Sequence, residues 1–464
     1  MKTPLLVLTF LYAFAAFGQD QKLPHIIIYL ADDLGVKDAG IYGAAVVRTP
    51  NIDALGKEGM VFENAFVASP SCAPSRAALL TGLMPAKNGA ENNHTYPKSD
   101  VDILTRNLQQ KGYKIFAFGK VAHGKMNNAC GFNYYNKSQV NLANNVKEFL
   151  NQQEIDGPVC LMIGDRRPHV LWTEKYSYDP KEVDLPPNFI ETEETRNHRA
   201  RYYSDVTGFD STMGEIMKFT ADLLGSNTLF LFSSDHGAQW PFGKWNLYDA
   251  GIRTPLIVKW KDKIKAGFRT SAMVSWVDIL PTILDITKSK IPDHIDGKSF
   301  ANVLLNNKPD FREVIYTTHS GDGIFNVYPI RSIRTKRYKY IRNLYPENYH
   351  TNHSDLLRKN GAGAYWNSWD QQAKTNSTAA SIIRKYYQRP PEEFFDLEND
   401  PDERANLISN PAYQKDIEWM KNALMEWMKK QGDSQTLFHS PYLLSKPKPN
   451  KHTIDSLKNL KQSN

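Results

Sequence analysis

The chain reads as an α/β protein with a mostly parallel sheet, on three observations. Four short apolar runs, His25–Leu30, Ile115–Phe118, Pro158–Ile163 and Thr228–Phe232, have the length and composition of strands buried on both faces. Helical stretches between them suit strand–helix–strand connections. After about residue 320 the pattern changes, and Arg331–Asn343 alternates basic with other residues, as antiparallel strands open to solvent on one face do. With 464 residues there is length for a large core or two domains. A hydrophobic fraction of 41% and a charged fraction of 23% are ordinary for a globular protein. The formal net charge of +7 favours acidic partners, but no Lys/Arg block dominates, which argues against nucleic acid.

Residues 1–19 read as a signal peptide: Lys2, an apolar Leu5–Phe17, and small residues around Ala16-Phe17-Gly18. The run is too short for a membrane span, and no other stretch is long and apolar enough for one. The mature protein is therefore expected to be exported, to the periplasm or outside the cell. The cysteines number three, Cys72, Cys130 and Cys160, so at most one pair can form.

In chain order, His25–Leu30 runs into Asp32-Asp33, where adjacent carboxylates at a buried strand end suggest a cation site. Thr49–Gly59 reads as an amphipathic helix, and Val61–Phe66 as an extended segment that delivers the chain to Cys72. A helix is expected from near Cys72 to Gly82, with Pro74 in its first turn and Gly82 closing it. Its first N–H groups, with Arg76 one turn on, suggest an anion site. After the Asp100–Gly112 helix, Ile115–Phe118 ends in Gly119-Lys120, with His123 close behind. Leu142–Leu150 is helical; Pro158–Ile163 then leads to the Asp165–His169 loop, where Pro168 restrains the chain before His169. Tyr178–Phe189 reads as irregular surface and Glu191–Lys218 as mostly helical. Thr228–Phe232 ends in Ser233-Ser234-Asp235-His236-Gly237, and Lys244 follows before a strand at Thr254–Trp260. Asp416–Lys430 is a helix, and the lysine-rich residues 446–464 are expected to be a mobile tail.

In an open parallel α/β sheet, ligands bind beyond the carboxyl ends of the strands. One sheet edge would thus collect Asp32, Asp33, Lys120, His169, Asp235 and His236. A divalent cation resolves the repulsion among three buried carboxylates, and oxygen donors favour calcium or magnesium over zinc. His236 is an awkward calcium ligand, so its place on the metal or beside a bound anion stays open.

Ser69–Gly82, S-P-S-C-A-P-S-R-A-A-L-L-T-G, resembles the signature of the type I, formylglycine-dependent sulfatases. The resemblance extends from about Pro24 to about Lys430 through A-D-D-L-G, G-K-x-x-H, P-F-G-K-W-N-L-Y and E-F-F-D-L-E-N-D-P. It implies an alkaline-phosphatase-like fold: a large, mostly parallel central sheet with helices on both faces, and a smaller C-terminal subdomain with an antiparallel sheet. The corresponding divisions are 20–320, 321–445 and the tail. It implies oxidation of Cys72 to formylglycine by a maturation enzyme, and one Ca2+ held by Asp32, Asp33, Asp235, His236 and residue 72. It implies a sulfate held by Arg76, Lys120 and Lys244, with His123 on the residue-72 diol. His169 is expected to contact the sulfate and protonate the leaving group, with His236 as the second choice. Within the family, the sulfamidase-like subgroup is most similar. His236 and Lys244 depart from it, standing where that subgroup has Asn and Arg. The implied substrate is a sulfated oligosaccharide, N-sulfated or O-sulfated, from a heparan-like or a marine polysaccharide. Tyr42, His94, Arg166, Arg167 and the Tyr178–Phe189 loop are candidate pocket walls. A phosphatase or phosphonate hydrolase of the same superfamily, or a glycan-binding homologue without activity, are the rival readings.

Overall fold

The computed structural model describes residues 22–462, so the expected signal peptide lies outside the described residues. Eight strands form one sheet: β1 (His25–Ala31), β2 (Met60–Phe66), β3 (Lys114–Gly119), β4 (Tyr134–Asn136), β5 (Val159–Gly164), β6 (Thr228–Ser234), β7 (Leu256–Trp260) and β8 (Phe268–Ser275). Their order is β4-β3-β5-β1-β6-β7-β2-β8. Pairing is parallel throughout, except that β7 runs antiparallel to both β6 and β2. The expected α/β fold with a mostly parallel sheet is what the chain adopts.

The four strands singled out by their apolar runs lie side by side as β3, β5, β1 and β6. Their registers pair Gly119 with Gly164, Leu30 with Gly164, and Ala31 with Ser234. The residues that follow, Lys120 beside Asp165 and Asp32 beside Asp235, therefore emerge within one residue of a common level on one edge. Gly164 permits this crowding: a Cβ there would lie 1.9 Å from the Lys120 carbonyl oxygen. The helix Glu193–Leu224 begins at Thr192, whose hydroxyl accepts from the Thr195 N–H, and its Phe209 meets the Tyr29 ring edge-on at 5.6 Å.

A second sheet holds β9 (Ile315–His319), β10 (Ile330–Arg334), β11 (Tyr338–Asn343) and β12 (Glu392–Asp396), all antiparallel in the order β12-β11-β10-β9. The helix Gln414–Gln431 packs on it through Ile417, Met420, Leu424 and Met428 against Ile333, Tyr340 and Phe394. Two expectations fail here. All five residues of β10 are buried, so this hairpin is not open to solvent on one face. Its basic residues are buried in ion pairs, Arg331 with Asp433 and Arg334 with Asp249. The tail expected to be mobile contains a helix, Lys451–Gln462, with Ile454 fully buried. Cys130 and Cys160 are both free and buried.

Candidate active site

Cys72 opens the helix Cys72–Thr81, every residue of which is buried. Gly82 ends it in the left-handed conformation, as expected. The helix start is not an open anion cradle. The Ala73 N–H is taken by Asn93 Oδ1 at 3.1 Å, and the Ser75 N–H by the Ser71 carbonyl at 3.0 Å. Ser75 Oγ donates to the Asp235 carbonyl, tying this helix to the end of β6.

Three carboxylates and three cations surround Cys72. Asp32 accepts from Lys120 Nζ at 2.8 and 2.7 Å. Asp33 accepts from Lys244 Nζ at 2.9 Å on each oxygen. Arg76 spans the other two, with Nε 3.0 Å from Asp235 Oδ2 and Nη2 3.3 Å from Asp32 Oδ1. Its Nη1 donates to the Lys120 carbonyl, so one guanidinium locks the ends of β1, β3 and β6 together. Burial works against ionising these acids. At Asp32 the Lys120 ammonium, and at Asp33 that of Lys244, more than compensate and hold both carboxyls below the usual range. At Asp235 burial prevails and the carboxyl is raised, despite His236 and Arg76. Asp33 sits at φ +70°, and Phe242 and Trp245, flanking Lys244, at +65° and +66°. Left-handed backbone at non-glycine residues is costly, so both sides of the Asp33–Lys244 pair rest on strained turns.

Residue 72 lies inside this ring. Its sulfur is 3.7 Å from Asp32 Oδ1 and 3.3 Å from His236 Nε2. Burial pushes the thiol up to about 12, so an unmodified Cys72 stays protonated at neutral pH. His236 Nδ1 lies 3.0 Å from the Gly237 carbonyl. A carbonyl only accepts, so Nδ1 carries a proton and Nε2 turns inward, 3.4 Å from Asp33 Oδ1 and 3.7 Å from Asp235 Oδ1. Donor atoms of Asp33, Cys72, Asp235 and His236 all lie within 4.8 Å of one another. Two carboxylates and an imidazole whose Nε2 is aimed between them are a donor set that fits a divalent cation. Asp32 is the expected ligand outside that group of four, held instead by Lys120 and Arg76.

His169 repeats the pattern. Its Nδ1 is 2.6 Å from the Val170 carbonyl, and its Nε2 stands 4.0 Å from Asp33 Oδ2. Burial, helped by Lys244, lowers it to about 4. In this neutral state His169 has no proton on the nitrogen facing the site. His123 bonds through Nε2 to His94 Nδ1 at 2.8 Å, while its own Nδ1 is buried.

Sequence reasoning missed Asn93, Trp245 and Asp322. Asp322 accepts from Trp245 Nε1 at 2.7 Å and Asn93 Nδ2 at 2.9 Å, bracing the Lys244 loop and the cap of the Cys72 helix. A signal for it existed: β9 runs straight into Ser320-Gly321-Asp322, another strand ending in an acid. Of the candidate walls, His94 belongs to this network. Tyr42 is tied to the Leu256 backbone, Arg167 to Asp165 and Thr212, and Tyr178 to Thr207.

Comparison with known proteins places this geometry. The family described as Sulfatase matches residues 24–289, and that described as N-sulphoglucosamine sulphohydrolase, C-terminal, matches 236–360. The chain is 32% identical over 440 residues to an ulvan-active sulfatase of Formosa agariphila, covering 91% of this chain and 84% of that one. It is 27% identical over 463 residues to human N-sulphoglucosamine sulphohydrolase, covering 86% and 89%. The fold matches that of BT1596, a 2-O GAG sulfatase, with a TM-score of 0.71 at 21% identity, covering 93% of this chain and 100% of that one. A buried cysteine ringed by carboxylates and cations, on a chain matched over most of its length, leads to one conclusion: the protein belongs to the sulfatase family of sulfuric ester hydrolases.

Proposed function

We propose that the site removes sulfate from the end of a sulfated oligosaccharide, with formylglycine derived from Cys72 as nucleophile and one divalent cation, calcium, as cofactor. The observation that carries this reading is the charge balance around residue 72. Asp32, Asp33 and Asp235 are matched by Arg76, Lys120 and Lys244. A divalent cation added to that balanced set leaves the pocket positive, as a sulfate requires. When bound, the cation draws charge toward itself from the sulfate oxygens, and the hydrated aldehyde of residue 72 offers the attacking hydroxyl.

Asp33, Asp235 and His236 would hold the cation together with residue 72, and Asp32 stands ready beside them. Arg76, Lys120 and Lys244 neutralise charge that builds on the sulfate oxygens. Their fixed places, set by the carboxylates, keep reorganisation during the reaction small. His169, neutral here, gains a proton most readily when the negative substrate lies beside it, and it then serves the departing oxygen. The unreactive thiol at position 72 makes maturation necessary, so a formylglycine-generating enzyme is an expected partner. Export through the amino-terminal segment would place the protein where glycan fragments arrive.

Two classes of sugar fit. The ulvan-active relative, at 32% identity, favours ulvan, and His236 and Lys244, which the resemblance ties to O-sulfatases, favour an O-sulfate. The N-sulphoglucosamine sulphohydrolase relative favours an N-sulfated sugar. The deciding experiment uses protein co-produced with a formylglycine-generating enzyme. It follows inorganic sulfate released from ulvan oligosaccharides, O-sulfated glucosamine and N-sulfated glucosamine. Release from a short sulfated oligosaccharide that stops when its terminal sugar is blocked supports the proposal. Activity confined to aryl sulfates or phosphate monoesters overturns it.

A further inference from the structure

A second cavity lies apart from residue 72. It measures about 490 Å3, within the range of about 300–1,000 Å3 that small-molecule sites occupy. Trp240, Phe242 and Gly243 line it, and the next residue, Lys244, turns instead to Asp33. Gly35 and Val36, which follow Asp33-Leu34, line it too. Arg334, Leu397 and Glu403 reach it from the C-terminal part of the chain. Asp33, Cys72, Lys120, His169 and Lys244 do not border it, so it is separate from the site described above.

The charges on its wall are matched, with one exception. Asp38 holds Arg199 at 2.6 Å, Asp249 holds Arg334 at 2.9 Å and Asp402 holds Lys37 at 2.7 Å. Lys336 pairs with Asp310, Arg337 with Asp396 and Glu398, and Glu403 with Lys339. The exception is Arg253. Its Nε donates to the Glu63 carbonyl at 2.8 Å, and its backbone N–H to the Asp249 carbonyl at 2.9 Å. The Glu63 carboxylate is engaged by Arg269. Both Nη groups of Arg253 are left without a hydrogen-bond or ion-pair partner among the described residues. A guanidinium fixed through Nε presents those groups as a fork that matches a carboxylate.

A second unspent donor borders the same space. The Trp240 side chain, in a residue 4% exposed, has an indole N–H with no hydrogen-bond partner among the described residues. Aromatic rings make much of the remaining wall: Phe189 meets the Trp240 ring at 5.1 Å, and Phe242 the Tyr248 ring at 5.8 Å. Such faces suit a ring-shaped body. A cationic ligand would find no unmatched acid here, and a polyanion would exceed the single free cation.

We propose that this cavity is a second binding site, for a small ring compound that carries one carboxylate. The carboxylate lies on Arg253, and the ring packs against Phe189, Trp240 and Phe242. An aromatic acid and a uronic sugar share this chemistry. The site does not depend on what the residue-72 centre hydrolyses.

The test uses the full chain without maturation and needs no turnover. Calorimetric titration with naphthoate and with glucuronate should show a ring acid bound one to one, with a Kd of about 1 mM or tighter. Binding of naphthoate alone identifies an aromatic acid, and of glucuronate alone a sugar acid. Arg253→Met should weaken binding about tenfold or more, and Arg253→Lys less, since lysine keeps the charge without the fork. Phe189→Ala should weaken it through the ring alone. Unfolding midpoints on the same samples report which variants are folded; if Arg253→Met is not, Arg253→Lys and Phe189→Ala decide. Acetate bound as tightly as either ring acid means an adventitious ion only and overturns the proposal. So does failure of both ring acids to bind, or an affinity that the substitutions leave unchanged.

Discussion

At Cys72 the surroundings suppress the chemistry of an ordinary cysteine. Burial pushes the thiol up to about 12, and the nearby Lys120 and Lys244 ammoniums, opposed by Asp32 and Asp235, do not bring it back. Protein made without a maturation enzyme should therefore resist alkylation at Cys72 at neutral pH and release no sulfate. Protein made with one should show the mass of the aldehyde on the Cys72 peptide. Full activity with an intact thiol would refute the mechanism. Lys244 allows a second test. Its side chain is 2% exposed and holds both oxygens of Asp33. Lys244→Met leaves a buried carboxylate unpaired, at about 3–5 kcal/mol of stability in protein stripped with a chelator. Calcium should return part of that loss if Asp33 belongs to its site. The pH dependence has a definite sign. Asp33 is depressed in the folded protein, so its contribution is complete above the unfolded carboxyl value of about 3.9 and is lost as pH falls below it. Urea unfolding at pH 7 and pH 3 reads the difference: the gap between wild type and Lys244→Met should narrow in acid, and a gap that widens contradicts the assignment.

Among elements, the hairpin of β10 and β11 joins the two sheets through charge. Arg334 on β10 donates to both oxygens of Asp249 at 3.0 and 2.9 Å, and Lys339 on β11 contacts Asp249 and Glu403. Asp249 follows directly on the Lys244 segment, so this cluster ties the second sheet to the site. Arg334→Met should cost about 3–5 kcal/mol, and Arg334→Lys less, since a lysine keeps the charge but not the fork. Guanidinium unfolding midpoints measure both; a neutral Arg334→Met would show that the cluster contributes no net stability. The same hairpin shows what the sequence leaves open. A period of two fixes which residues share a face, but it does not tell a solvated face from a covered one: Arg331, on the Ile333 side, pairs with Asp433 just past the helix Gln414–Gln431, and Arg334, on the opposite side, pairs with Asp249. The parallel strands were readable because burial on both faces leaves an apolar run with no alternation, and the run stops where the polar edge begins. Asn93 was not, because it acts through contacts with loops distant in the chain, and Asp322 was marked only by its place just past the end of β9.

Across the whole molecule, the apolar runs foretold the architecture, since in a parallel sheet strand polarity alone brings every carboxyl end to one edge. What closes the site from the other side depends on long-range packing. The carboxyl-terminal helix Lys451–Gln462 illustrates this. Its lysines and the prolines before it suggest a solvated tail, yet one apolar residue, Ile454, is fully buried, and the helix packs on the short helix His353–Leu357. Lys458 places its ammonium 5.2 Å from the centre of the Phe325 ring, and Phe325 stacks on His353 at 3.8 Å. His353 Nδ1 is in turn 3.8 Å from Asp322 Oδ2. The tail thus supports the outer wall of the Asp322 cluster. Ending the chain after Ser445 should remove the burial of Ile454, worth about 1.5–3 kcal/mol, and loosen His353. Ile454→Ala should reproduce most of the stability loss. Urea unfolding of the three proteins, with sulfate-release kinetics on one oligosaccharide, separates the effects. Both variants should unfold earlier, while KM should rise more in the truncated chain, which also lacks Lys458. A truncated protein as stable as the full chain, with the same KM, would return residues 446–464 to the role of a free tail.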